Sequence, residues 1–315
     1  MTAAAAAAAP VHLRPGDDLR DRLPAAGVAG RYFCLSDPVC VGPARDGDGL
    51  IGWIGRRARF VALHAGVDAG EARARLGREY AALLALDRQD DPVWLWFEHD
   101  LWDQAALLRV LSLLAPRPAL RGRLWPVPAD GARSFPELPD AELAGLRPAA
   151  PLTDAQAEEA VAAWEAFAAE DPRGLDALAQ RALALPFLAA AQRRHLQDLP
   201  WTTDGLALTE RLVLRAVAGG AADPPAVHRA LRAADPVFHV TDLIVAEVVR
   251  RLQQTPLRPL AAARPGAPLR PTARGEALLV GGARHRPFPR AHGGTTVRPD
   301  PDWLWDPDRD GVVPG

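Results

Sequence analysis

VWLWFEHDLWDQ, residues 93–104, decides the reading of this 315-residue chain. Val93 to Phe97 is a short, continuously apolar run that ends on Glu98. Such a run is read as a strand buried on both faces, in a parallel sheet covered by helices. From residue 101 the spacing becomes helical, with Leu107, Val110, Leu111 and Leu114 on one stripe of a helix over 101–115. The polar residues Glu98, His99, Asp100, Asp103 and Gln104 crowd the passage from strand to helix. In an open α/β sheet, ligands bind outside the carboxyl ends of the strands, which is where these five residues fall.

Outward from this stretch, strand and helix signals alternate through residues 11–150. A strand at 11–13 is followed by the turn Pro15-Gly16-Asp17-Asp18, a helix over 17–26 and a strand at 30–36. A Gly/Asp-rich loop over 42–52, a helix over 68–87 and a strand near 122–127 complete the pattern. This alternation predicts an α/β N-terminal domain with a mainly parallel sheet. Residues 116–151 hold eight prolines and read as a boundary or rigid connector.

Beyond it the chain reads as helical. Thr153-Asp154-Ala155-Gln156 has the form of a capping box, and helices are expected over 174–184 and 186–198, within a helical connector spanning 151–200. Helices over 207–219, 224–234 and 241–254, then a Pro/Gly-rich stretch at 256–271 and a short helix at 273–280, predict a winged-helix-like module over 201–285. Residues 286–315 form a C-terminal tail. Its Trp303, Trp305 and Asp306 either close the fold or present a contact surface. The first ten residues, mostly alanine with no positive n-region, are expected to be a disordered leader rather than a signal peptide.

Composition excludes several chemistries. The chain has no Lys and no Asn, its 37 basic residues are all Arg, and Ser occurs only at 36, 112 and 134. There is therefore no Schiff-base lysine, no Walker-A lysine and no serine-hydrolase elbow. Only Cys34 and Cys40 are present, too few for a four-cysteine zinc site, and they are expected to be reduced thiols of a cytoplasmic protein. With a net charge of −2 no overall field recruits nucleic acid or anionic lipid. No apolar stretch is long enough to predict a membrane span.

Glu98, His99, Asp100 and Asp103 are the candidate catalytic residues. Period-two alternation puts Glu98 and Asp100 on the side opposite His99, and Asp103 opens the inward face of the following helix. The competing structural account is capping: Asp100 as N-cap, with Asp103 three residues on in the positive field of the helix end. Capping covers two of the five polar residues and leaves Glu98, His99 and Gln104 over. Candidate ligand-binding residues are Asp17, Asp37, Gln104 and His195. For Asp37 an ordinary turn before Pro38 competes, and for His195 a structural place on an amphipathic helix. A divalent metal is the candidate cofactor, its identity open, since adjacent Glu-His-Asp offers donors without a recognised ligand spacing. The helix over 241–254 carries Asp242 and Glu247 against Arg250 and Arg251 and lacks the basic stripe of a DNA reader, which favours a structural or protein-binding module.

The order LWFEHDLWDQ, then LPFL and RHL around 185–196, GLALTE at 205–210 and GG…WLWD near the end resembles the bacterial family catalogued as domain of unknown function eighteen-thirty-five, with its C-terminal companion domain. Asp37 with Gly42-Pro43 also fits, as do His12, Gly16 and Asp17, with Pro15 intruding. The resemblance spans about residues 11 to 306. It implies a domain plan, and that Glu98, His99, Asp100, Asp103 and Gln104 belong to a family signature, but no reaction.

Two functions follow as expectations. One is a hydrolase or group-transfer enzyme that binds a small phosphorylated or nucleotide-like ligand at the strand ends, with metal assistance and Glu98 or His99 as general base. The other is a regulatory or adaptor protein whose winged-helix-like module contacts protein or DNA.

Overall fold

A computed structural model describes residues 9–264 and 266–315. Most of the expected leader, residues 1–8, lies outside the described residues. The N-terminal half is built on a four-stranded parallel sheet of β1 (Val11–Arg14), β2 (Arg31–Cys34), β4 (Val93–Leu95) and β5 (Leu124–Pro126), in the order β2-β1-β4-β5. The chain leaves β1 for β2 on one side, then crosses back to lay β4 on the other side of β1. This reversal makes the gap beyond the carboxyl ends of β1 and β4 the topological switch point.

Side chains alternate across the sheet. Val11, Leu13, Val93 and Leu95 point into the main core, while Tyr32, Trp94 and Trp96 pack in a second cluster. That second cluster is roofed by Leu23 of α1 (Arg22–Ala25), Phe135, and Leu143 of α5 (Asp140–Gly145). The main core is covered by α2 (Gly49–Ala65), α3 (Ala69–Leu84), α4 (Leu101–Leu114) and α6 (Asp154–Ala168). The strand expected over 93–98 pairs in the ladder only at 93–95; Trp96 continues it with one bond from its N–H to the Leu13 carbonyl, 2.9 Å.

Two local expectations are corrected. Residues 42–52 are not simply a loop: Gly42–Pro43 is a strand, β3, and α2 begins at Gly49. Gly49, Gly52 and Gly55 hid this helix, yet Trp53, Arg57 and Val61 recur every fourth residue and bury one face, which outweighs the glycine cost. Conversely, the helix expected over 17–26 is regular only from Arg22 to Ala25, with turns before it.

The remaining helices are α7 (Arg173–Ala179), α8 (Leu188–Leu196), α9 (Leu208–Ala218), α10 (Pro224–Ala234), α11 (Asp242–Gln254) and α12 (Ala273–Leu279). Between α11 and α12 lies a short antiparallel pair, β6 (Leu260–Ala261) with β7 (Arg270–Pro271). The end of the chain folds back on the start. β8 (Arg290–Gly293) pairs in parallel with β3 and antiparallel with β9 (Thr295–Val297). β10 (Trp303–Asp306) and β11 (Gly311–Pro314) form a hairpin, and Trp305 is buried beside Trp201. Among the described residues, no helix is long and apolar enough to cross a membrane.

Candidate functional site

Arg14 ends β1 and points over the switch point. It is buried, and its guanidinium meets three carboxylates: Asp18 at 2.6 Å and 2.7 Å, Glu98 at 2.8 Å and Asp103 at 3.3 Å. Glu98 also accepts from the Phe135 N–H at 2.7 Å, and Asp103 from the Glu98 N–H at 2.7 Å. Gln104 donates its side-chain amide to the Glu98 carbonyl at 2.5 Å. Asp103 thus has the partner that its inward position on α4 demands, and Gln104 holds the strand-to-helix turn.

Asp100 caps α4, accepting from the N–H of Trp102 at 2.7 Å and of Asp103 at 3.4 Å. Its second oxygen lies 3.5 Å from Nδ1 of His239. His239 arrives on the turn between α10 and α11, which the Leu101 N–H ties to α4 through the Val237 carbonyl at 2.7 Å. One donor atom each from Glu98, Asp100 and His239 lie within 4.8 Å of one another. His99 is buried against the same turn, its Nε2 3.1 Å from the Pro236 carbonyl and its ring edge-on to His239 at 5.6 Å. A carbonyl only accepts, so Nε2 donates to it, and Nδ1 has no partner among the described residues.

The electrostatics are set by burial. Glu98, Asp100 and Asp103 are all buried and share one buried cation, Arg14. Burial raises Glu98, with Arg14 opposing it, and raises Asp103 well above the usual carboxylate range. Asp100 is pushed up to about 7, by burial first and by the neighbouring Glu98 second. His239 is pushed below its ordinary value by burial, then by Arg232 and His99. Uncompensated charge is costly away from water, so two of these carboxylates must take a proton or face a further cation.

The other sequence candidates go elsewhere. Asp17 is exposed and pairs with Arg20 at 2.5 Å; its neighbour Asp18 is the one that reaches Arg14. Asp37 is buried in a separate cluster, ion-paired to Arg57 at 2.7 Å and accepting from Tyr80 at 2.8 Å and Trp53 at 3.2 Å. This network anchors α2 and α3 to the loop after β2. His195 stacks on His292 of β8 with ring centroids 3.9 Å apart, and Phe167 packs against it at 4.4 Å. Glu98, His99, Asp100, Asp103 and Gln104 therefore converge, whereas Asp17, Asp37 and His195 do not join them.

Sequence reasoning missed Arg14, Asp18 and His239. Arg14 carried a signal, a charge closing the short strand VHLR, all of which is buried. His239 carried none, because only the fold brings residue 239 to residue 100. No family model, curated protein or solved structure matches the chain.

Proposed function

We propose that this chain is a cytoplasmic hydrolase or group-transfer enzyme, assisted by a divalent cation, acting on a small phosphorylated or nucleotide-like substrate at the switch point of its sheet. The observation that carries the reading is the meeting of Glu98, Asp100 and His239 donor atoms in a buried surplus of carboxylates. Two carboxylates and an imidazole are a donor set for a first-row divalent metal. Such a metal would neutralise the surplus, and it would polarise a phosphoryl oxygen or lower the pKa of a bound water. His99, whose Nδ1 has no partner among the described residues, is the general base in this scheme. Arg14 fixes the Glu98 carboxylate, and Asp103 and Gln104 hold the turn that presents it. Membership of the family that LWFEHDLWDQ resembles belongs to the same proposal.

The test is calorimetric titration of the metal-stripped chain with Mn2+ and Zn2+. One equivalent should bind, and Asp100→Ala and His239→Ala should each weaken it at least tenfold. p-Nitrophenyl phosphate and a panel of nucleotides then serve as substrates, with His99→Ala lowering turnover more than metal affinity. Metal binding that is absent, or unchanged in both ligand variants, would overturn the proposal.

The alternative is a regulatory or adaptor protein built around a winged-helix-like module at 201–285. The three helices α9 to α11 and the β6–β7 pair are the parts that module requires. Against a DNA-reading role stands the position of α11, which lies against α2 and shares the lining of a cavity with it. A helix in that place reaches a major groove only after parting from the α/β half.

A further inference from the structure

A cavity of about 620 Å3 lies between α2, α11 and the segment leading into β8, and Glu98, Asp100 and His239 do not line it. Its walls are mainly apolar, with Phe60 from α2, Trp102 from α4, Phe238, and Phe288 among them. Leu63 of α2 and Leu243 of α11 also line it and are 79% and 52% exposed, so the apolar surface continues to solvent.

Its charged lining is balanced in number, Arg75, Arg250, Arg251 and Arg290 with Asp198, Glu210, Asp242 and Glu247, but the groups are not equally well paired. Arg250 is taken by Glu247 at 2.7 Å, and Asp198 by Arg194 at 3.2 Å and by Thr209. Arg251 and Arg290 both turn to Glu210, at 3.9 Å and 3.8 Å, beyond hydrogen-bond length. Arg290 Nη2 donates to the Asp198 carbonyl at 2.6 Å, but among the described residues its buried Nη1 has no partner, nor does the buried Nε of Arg251. Glu210 itself is held by the Ala207 N–H at 3.1 Å, at the start of α9, and does not close the gap. Arg251 and Arg290 therefore sit side by side near Glu210 in the wall of an apolar chamber, each with an unused donor, as Arg75 also has elsewhere in the lining. A volume of several hundred cubic ångströms, apolar walls and a few convergent polar groups are the features of a small-molecule site.

We infer that this cavity binds an amphiphilic organic anion, with a carboxylate head between Arg251 and Arg290 and an apolar body among Phe60, Trp102, Phe238 and Phe288. A carboxylate between them supplies both guanidiniums with an acceptor at hydrogen-bond distance, which Glu210 does not. A neutral or cationic amphiphile of the same length fills the apolar part and leaves the donors orphaned. This site needs no metal and is independent of the proposed reaction.

The experiment is isothermal titration of the full chain with octanoate, alongside octan-1-ol and octylammonium. Octanoate should bind at one saturable site, at least tenfold more tightly than either control. Arg251→Gln and Arg290→Gln should each weaken it about tenfold or more. Ile244→Trp, which fills the cavity from α11 and leaves both arginines in place, should abolish it. Equal binding of the three amphiphiles, no octanoate binding, or binding unchanged in folded Arg251→Gln and Arg290→Gln would overturn the inference. If an arginine variant fails to fold, the comparison of the three amphiphiles on the native chain still decides.

Discussion

Arg14 is shared by the more exposed Asp18 and the buried Glu98 and Asp103, so its removal strands two buried carboxylates that have no other cation among the described residues. Arg14→Met should lower stability by about 3–5 kcal/mol, read from urea unfolding at neutral pH, because breaking a buried ion pair leaves an unpaired buried charge. A loss within about 1 kcal/mol would show that the carboxylates are already protonated. His292 makes the opposite kind of demand. Burial, with Arg290 nearby, lowers it to about 4, so between pH 6.5 and 4 the unfolded chain takes up a proton that the folded chain refuses. Stability is complete above pH 6.5 and falls as pH drops toward 4, by about 3 kcal/mol for this group. His292→Gln, which keeps a donor for the His195 carbonyl, should flatten that part of the stability-against-pH curve. An unchanged slope would assign the loss to other groups.

At the scale of elements, α2 shows why glycine misleads a sequence reading. Gly52 has a reason to be glycine: a Cβ there would come within 2.3 Å of the Asp48 Cβ. Gly55 in α2 and Gly77 in α3 have open space where a Cβ would go. Gly55→Ala and Gly77→Ala should therefore each raise stability by about 0.5–1 kcal/mol, through the backbone freedom that glycine loses on folding. Gly52→Ala should lower it. Thermal unfolding of the three variants separates the cases, and destabilisation by Gly55→Ala would mean that α2 needs its flexibility. The same element shows the limit of local reading. Its helical stripe of Trp53, Arg57 and Val61 is present in the sequence, but the stretch before it, with three glycines in the seven residues 49 to 55, reads locally as loop.

For the molecule as a whole, the two ends of the chain are one structure. β3 pairs with β8, more than two hundred residues later, and the main core runs without a break from Val11 to Trp305. Unfolding followed by far-ultraviolet circular dichroism and by tryptophan fluorescence should therefore give superimposed transitions. Separated midpoints would show that the sheet half and the helical half fold as independent units.

What the sequence by itself determined is local and periodic. The apolar run at 93–97, the stripe on 101–115 and the strand–helix alternation predicted a parallel sheet, and polar crowding at 98–104 pointed to the end of its central strand. Hydrophobic period and capping chemistry depend on residues a few places apart, so they survive in one dimension. What only the tertiary structure decided is who stands opposite whom. Asp18 rather than Asp17 meets Arg14, Asp37 serves α2, His195 stacks on His292 of β8, and His239 comes to Asp100 across 139 positions. Such pairings arise from the order of strands and the packing of helices. Burial then turns them into shifted protons, unpaired donors and a cavity, none of which is a property of neighbouring residues.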